Sequence, residues 1–427
     1  MMPDHKSIPF HRPSIGDDEI EEVLDTLRSG WLTTGPKTAR LEQEFSSYVG
    51  APFALAVNSC TAGLHLALAA MGIGRGDEVI TTPLTFCATV NAIMHVGATP
   101  VLADIGLNGN ISPNSIESRI TPRTRAIIPV HFAGLPCDLS RIWETARKHG
   151  LRVIEDAAHA SGTIYRGSLI GSVNQEPSSG SDAVCFSFYA TKNMTTAEGG
   201  ITTTADPSLY DKMKLLCLHG ISRDAWNRYS GSGSWFYQVH ECGFKYNLSD
   251  LQASLGIHQL KKLEQFTMIR TRYATRYGEL LRNVEEVELP RTAAQGDRHA
   301  WHLYSIRLNL ERLCIDRAMF IEELRSRGIA ASVHFIPIPM HPFFEPFAGL
   351  PQNQCPTALA LYPRLVTLPL YPAMTEAEVD YVGTTVRKLL IKHSRRPTFF
   401  PTHIDLPIPS IGRLNPRRRI MPVQPRS

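Results

Sequence analysis

Between residues 53 and 188 short apolar runs alternate with stretches of helical spacing, and this alternation decides most of what the chain can become. The runs are 53–57 (Phe-Ala-Leu-Ala-Val), 78–81, 100–103, 125–130, 152–154 and 183–188. Each suits a strand and is too short for a helix. Between them, 62–71, 87–95 and 139–149 repeat their apolar residues with a helix's period. Parallel strands need a crossover between them, so strands and helices in alternation predict an α/β fold with a mostly parallel sheet covered by helices on both faces. Ligands of such sheets gather beyond the carboxyl ends of the strands.

The flanks extend this reading. Ile20, Val23, Leu24 and Leu27 recur at helical spacing over 18–29, ahead of a loop running from Gly30 to Pro36. A long helix is expected over 248–277, a strand over 301–308, a helix over 317–328 ending at Gly328, and a strand over 331–335. A chain of 427 residues exceeds one ordinary domain. The expected division is a large domain over 1–250, a connector helix with a smaller C-terminal α/β domain over 251–392, and a tail over 393–427.

Composition excludes several classes. Apolar residues at 43% and charged residues at 20% are ordinary for a globular protein, which argues against disorder and against a fibrous repeat. No apolar run approaches the roughly 20 residues of a membrane helix, and the opening Met1-Met2-Pro3-Asp4-His5-Lys6 lacks the apolar core of a secretory leader. The eight cysteines are scattered without a CxxC pair, a pattern of reduced thiols in the cytoplasm and not of a disulfide framework or a zinc site. The formal charge of +4 divides into +6 from residue 393 onward and −2 before it. The body therefore carries no basic footprint for nucleic acid. The tail, with seven prolines and Arg417-Arg418-Arg419, reads as a disordered or surface-draped extension.

The chemistry-bearing residues fall at strand ends. The apolar run through Phe188 breaks into a polar turn carrying Lys192, and the run at 152–154 ends in Glu155-Asp156-Ala157-Ala158-His159. An amine for an aldehyde and a carboxylate for a ring nitrogen are the two groups that pyridoxal phosphate (PLP) requires. A third strand end, Val57-Asn58-Ser59-Cys60-Thr61-Ala62-Gly63, passes through a small polar turn into a helix, a start suited to a phosphate. Alone, Thr61 and Ala62 read equally as an ordinary helix start, and Ser187 as the polar face of a strand. Phe86, just after another strand exit, is either a stacking partner for a flat ring or core. His159 either supports Asp156 and the cofactor or is a histidine satisfied within the core.

Taken together, Asn58–Leu68, Glu155–His159, Ser187-Phe188 with Lys192-Asn193, Glu198-Gly199-Gly200 and Lys245-Tyr246-Asn247-Leu248 resemble the PLP-dependent nucleotide-sugar aminotransferases of the DegT/DnrJ/EryC1/StrS type. The resemblance spans roughly residues 8–390. Its nearest subgroup is the UDP-4-amino-4-deoxy-L-arabinose aminotransferases, through Arg28–Lys37 and His299-Ala300-Trp301-His302-Leu303. It implies the aspartate-aminotransferase-like fold (fold type I), with Lys192 as the Schiff-base lysine and Asp156 as partner of the pyridine nitrogen. It further implies Thr61, Ala62 and Ser187 on the phosphate, Phe86 stacked on the ring, and His159 beside it. Asn247 is similar to an asparagine that reaches the phosphate of the neighbouring subunit's cofactor, which implies a homodimer with shared sites. The implied reaction moves an amino group from L-glutamate to a keto carbon of a nucleotide sugar for cell-surface polysaccharide. His159 leans the position to C4; a C3-specific enzyme and a non-catalytic sugar-nucleotide binding protein are the alternatives. In a related dehydratase the lysine position is a histidine, so Lys192 argues against that activity.

Overall fold

The structure is a computed structural model that describes residues 7–172, 180–221, 236–344 and 355–395. The chain opens with helices α1 (Asp17–Ser29) and α2 (Pro36–Val49), then strand β1 (Phe53–Val57) and α3 (Cys60–Ala70). There follow β2 (Glu78–Thr81), α4 (Ala88–His95), β3 (Thr99–Leu102), α5 (Pro113–Glu117), β4 (Thr124–Ile128), α6 (Leu139–His149) and β5 (Arg152–Asp156). A short hairpin of β6 (Ile164–Tyr165) and β7 (Ser168–Leu169) precedes β8 (Ala183–Ser187), β9 (Gly200–Thr204) and α7 (Pro207–Cys217). The long helix α8 (Asp250–Leu280) leads to β10 (Val287–Glu288), β11 (Tyr304–Leu308), α9 (Arg317–Arg325), α10 (Pro356–Leu361), β12 (Leu365–Leu368) and α11 (Glu376–Lys392).

Seven strands form the main sheet in the order β1-β9-β8-β5-β4-β2-β3. All pairs between β8 and β3 are parallel, as the crossover helices require. The departure is β9, which runs antiparallel to both neighbours. Gly200 stands opposite Val57 on one side and Ser187 on the other, so the start of β9 lies between the ends of β1 and β8. The sequence reading assigns no strand after the polar turn that carries Lys192, because the run of three threonines lacks the apolar content of its neighbours.

Packing explains the helices. Helix α2, also missed, starts at Pro36, whose fixed φ suits the first helical position. It buries Leu41, Phe45 and Val49 on one stripe, with Phe45 edge-on to Phe186 at 5.1 Å. Helix α8 begins at a capping box between Ser249 and Gln252, packs its first turns on α1 and α2, and packs later turns on α11.

A second sheet, β10-β11-β12, is antiparallel throughout. Ile306, Leu308, Val366 and Leu368 face a separate apolar cluster with Tyr277, Phe320, Val382 and Leu389. Two expectations need correction here. Residues 331–335 form no strand: Ser332 alone makes an isolated bridge to Thr367, on the edge of β12 that β11 leaves free. The strand expected from Trp301 begins at Tyr304, because Trp301 has φ +48°, a left-handed conformation that breaks an extended run. Of the tail, residues 396–427 lie outside the described residues.

Candidate active site

The carboxyl ends of β1, β2, β5 and β8 open onto one cavity of about 550 Å³. Because β9 is antiparallel, it delivers its amino end, Glu198 and Gly199, to the same place. Thr61, Phe86, Asp156, His159, Ser187 and Lys192 all line this cavity, although 131 residues separate the first from the last. The opposite wall comes from distant segments: His11, His302, His334 and Phe335.

Asp156 is the last residue of β5 and is buried. Its Oδ2 accepts a hydrogen bond from Thr89 Oγ1 at 2.8 Å, and its Oδ1 accepts one from the Ala158 backbone at 3.1 Å. Burial nevertheless raises the carboxyl above its ordinary range, opposed by those two hydrogen bonds and by the nearby Lys192. A carboxylate so placed is stabilised by a further cation. Beneath it, His131 Nδ1 accepts from the Cys137 backbone at 3.1 Å, so Nε2 carries the proton that bonds Glu155 at 2.7 Å.

Lys192 follows the end of β8 in a tight turn. The Tyr189 backbone donates to Ser187 Oγ at 3.3 Å and the Lys192 backbone donates to the Tyr189 carbonyl at 2.9 Å. The next residue locks the turn in place: Asn193 Nδ2 donates to the carbonyls of Ser161 and Ala300, which leaves its Oδ1 to accept from His302 Nδ1 at 3.1 Å. Burial lowers the Lys192 ammonium to about 8, with Asp156 and Cys60 opposing. Near neutral pH this amine therefore gives and takes protons readily.

Aromatic rings frame the space between these two groups. Phe86 is 62% exposed despite its apolar ring and lies 6.2 Å from the ring of Phe335. His159 stacks on Phe335 at 5.7 Å and lies tilted against His302 at 4.4 Å. Burial, then Lys192 and neighbouring histidines, hold His159 well below its ordinary value, so its ring is neutral. Its Nδ1 is buried without a hydrogen-bond partner. Arg270 of α8 fixes this wall by donating to the carbonyls of Trp301, His302 and Leu370.

The comparisons with known proteins agree with this arrangement. The sequence pattern of the DegT/DnrJ/EryC1/StrS aminotransferase family matches residues 13–387. The chain belongs to that family. It is 48% identical over 385 residues to the spore coat polysaccharide biosynthesis protein SpsC of Bacillus subtilis, covering 90% of this chain and 97% of that one. An uncharacterized protein of Methanocaldococcus jannaschii is 50% identical over 384 residues, with the same coverage. Among solved structures, the candidate sugar aminotransferase Spr1654 of Streptococcus pneumoniae in its PMP form superposes with a TM-score of 0.83 at 35% identity, covering 90% of this chain and 99% of that one. The same protein is also known in a PLP form. The chain is thus a PLP-dependent aminotransferase of fold type I.

The residues present fit that coenzyme. Asp156 is a buried carboxylate awaiting a cation, which a protonated ring nitrogen provides, and Lys192 offers an amine of lowered basicity to an aldehyde. Phe86 leaves a ring face exposed for stacking. The start of α3, with Ser187 beside it, offers a helix N-terminus and a hydroxyl to a phosphate.

Two residues named from sequence do not line the cavity. The Ala62 backbone N–H is taken by the Ser59 hydroxyl at 3.1 Å, the ordinary cap of α3. Asn247 lines a different cavity of about 700 Å³, where its Nδ2 donates to Thr34 Oγ1 at 2.7 Å and its Oδ1 accepts from Lys245 Nζ at 2.6 Å. Sequence reasoning in turn missed Thr89, His11, His302 and His334. Thr89 was findable, since it lies within the first turn of a helix that leaves a strand exit; nothing local marks the three histidines.

Proposed function

We propose that the enzyme transfers an amino group from L-glutamate to the C4 keto carbon of a nucleotide-linked sugar, in the making of a cell-surface polysaccharide. The observation that carries this reading is the meeting of Asp156 and Lys192 at one cavity, with the amine lowered to about 8. The relative SpsC, named for spore coat polysaccharide biosynthesis, supports the polysaccharide role. The residue His159 at the end of the aspartate motif supports C4, and Arg28–Lys37 with His299–Leu303 support a sugar of the UDP-4-amino-4-deoxy-L-arabinose type.

Bound PLP supplies an electron sink for the carbon that loses its proton. Lys192 holds the coenzyme's aldehyde in the resting enzyme. Its lowered basicity would let the free amine take the proton from the donor's α-carbon as base and return it as acid. Asp156 holds the positive charge on the ring nitrogen. Phe86 and His159 would lie against the ring, and Thr61, Ser187 and the start of α3 would hold the phosphate. Asn247, outside its own chain's cavity, serves the phosphate of the second subunit in a homodimer with shared sites. No helix among the described residues is long and apolar enough to cross a membrane; the free cysteines support placing the enzyme in the cytoplasm.

The test is incubation of the purified yellow protein with glutamate and a panel of 4-keto and 3-keto nucleotide sugars. Bleaching by glutamate and amination at C4 are expected. Amination at C3 only, or no bleaching, would overturn the reading.

A further inference from the structure

Strand β11 alternates its faces: Tyr304, Ile306 and Leu308 enter the apolar cluster, while Ser305 and Arg307 lie on the other side. Ser305 is satisfied by Thr367 at 2.9 Å. Arg307 is not. It is only 6% exposed, and its Nε is buried without a hydrogen-bond partner. Glu288 stands directly opposite in the β10–β11 register, yet its carboxylate is 3.9 Å from Arg307 Nη1, beyond hydrogen-bond range. That carboxylate is engaged by Arg364 Nη2 at 2.5 Å, and Arg364 is itself fixed through Nε to the Leu308 carbonyl at 2.9 Å.

These side chains line a cavity of about 670 Å³ together with Arg291, and it shares no lining residue with the active site. Three guanidinium groups against one carboxylate leave a net charge of +2 around it. Burial lowers the Arg307 guanidinium below its ordinary value; Glu288 opposes this, and Arg364 and Arg291 add to it. A guanidinium carries five donors, and burying it with so few engaged is costly unless an anion completes the set.

We propose that this cavity binds a dianionic phosphate group, held by Arg307 with Arg364 and Arg291. Charge selects the class: a dianion neutralises the surplus, and a planar guanidinium fork matches phosphate oxygens pairwise. The phosphate is either the free ion or the monoester of a small metabolite, whose organic part would lie against Leu107 and Leu361. Size permits both, since cavities of about 300–1,000 Å³ hold small ligands.

Isothermal titration of the full-length, PLP-saturated enzyme with inorganic phosphate and with glycerol 3-phosphate tests this. One saturable site per chain is expected, weakened about tenfold or more in Arg307→Met, which removes the charge but keeps the bulk. Arg291 is exposed, so Arg291→Ala serves as a second variant whose folding is not in question; a severalfold loss is expected. Tighter binding of glycerol 3-phosphate assigns a monoester, and equal or tighter binding of inorganic phosphate assigns the free ion. No saturable binding, unchanged affinity in both variants, or succinate binding as tightly as phosphate would each overturn the proposal.

Discussion

Thr89 Oγ1 donates a 2.8 Å hydrogen bond to Asp156 Oδ2, joining the first turn of α4 to the end of β5 across 67 residues of sequence. Thr85 Oγ1 lies 2.8 Å from Thr89 Oγ1, and since the Thr89 proton is given to Asp156, Thr85 is the donor in that pair. The two threonines form a relay whose hydrogen bond to Asp156 opposes the upward shift that burial gives its carboxyl.

Replacement Thr89→Val keeps the shape and removes the donor. A hydrogen bond to a charged, buried carboxylate contributes about 1.5–3 kcal/mol, so coenzyme affinity should fall at least about tenfold. Titration of the coenzyme-free variant with PLP, followed by visible absorption, measures this. Affinity equal to that of wild type would show that the relay is only structural.

Lys192 makes stability depend on pH in a defined direction. Its folded value of about 8 lies below the ordinary 10.5, so between these values the unfolded chain binds the proton and the folded one does not. Stability of the coenzyme-free protein therefore rises as pH increases from about 8 to 10.5, and the penalty is fully present below 8. The gain should approach about 3 kcal/mol relative to Lys192→Met, in which this slope is absent. Urea denaturation of both proteins across that window checks the difference; parallel curves would contradict the burial of the amine.

Gly200 has no room for a side chain. A Cβ there would stand 2.6 Å from the Phe186 carbonyl and 2.7 Å from the Cys60 backbone nitrogen, and neither can move without opening β8 or the start of α3. Gly200→Ala should cost about 2–3 kcal/mol, and because the same displaced backbone frames the expected phosphate site, PLP affinity should fall with it. Denaturation and PLP titration of one sample separate the two effects. A stable variant with normal affinity would mean that the close approach is not real.

The assignment of Asn247 to a second subunit predicts complementation. Lys192→Ala and Asn247→Ala are each expected to form impaired homodimers. In a random mixture about half of the dimers are mixed, and each of these has one intact site of two, so activity should recover to about a quarter of wild type. An assay before and after exchange of subunits in mild denaturant decides it. No recovery would assign Asn247 to its own chain.

Much of the site was legible because its residues sit where local pattern changes. Lys192 and Asp156 each end an apolar run, and in a parallel sheet such ends share one side of the molecule. Legibility failed where a residue's role depends on a competitor or a distant partner. Ala62 was read as a phosphate ligand, but its N–H goes to the nearer Ser59 hydroxyl. Residues 331–335 have the composition of a strand, but only Ser332 reaches the free edge of β12, in a single bridge to Thr367. Gly200–Thr204 lacks an apolar signal, yet its neighbours on both sides supply complete ladders of hydrogen bonds.

The chain's own order of residues determined the elements, the parallel character of the sheet, and the pair of groups that a PLP enzyme needs, since apolar period and strand-end chemistry are written locally. Tertiary structure alone decided that Thr89 meets Asp156, that His302 is held by Asn193, and that Arg307 is enclosed with its nearest acid beyond hydrogen-bond range. Such pairings depend on which surfaces pack together, a choice made by the summed burial of all elements at once and so absent from any single stretch of sequence.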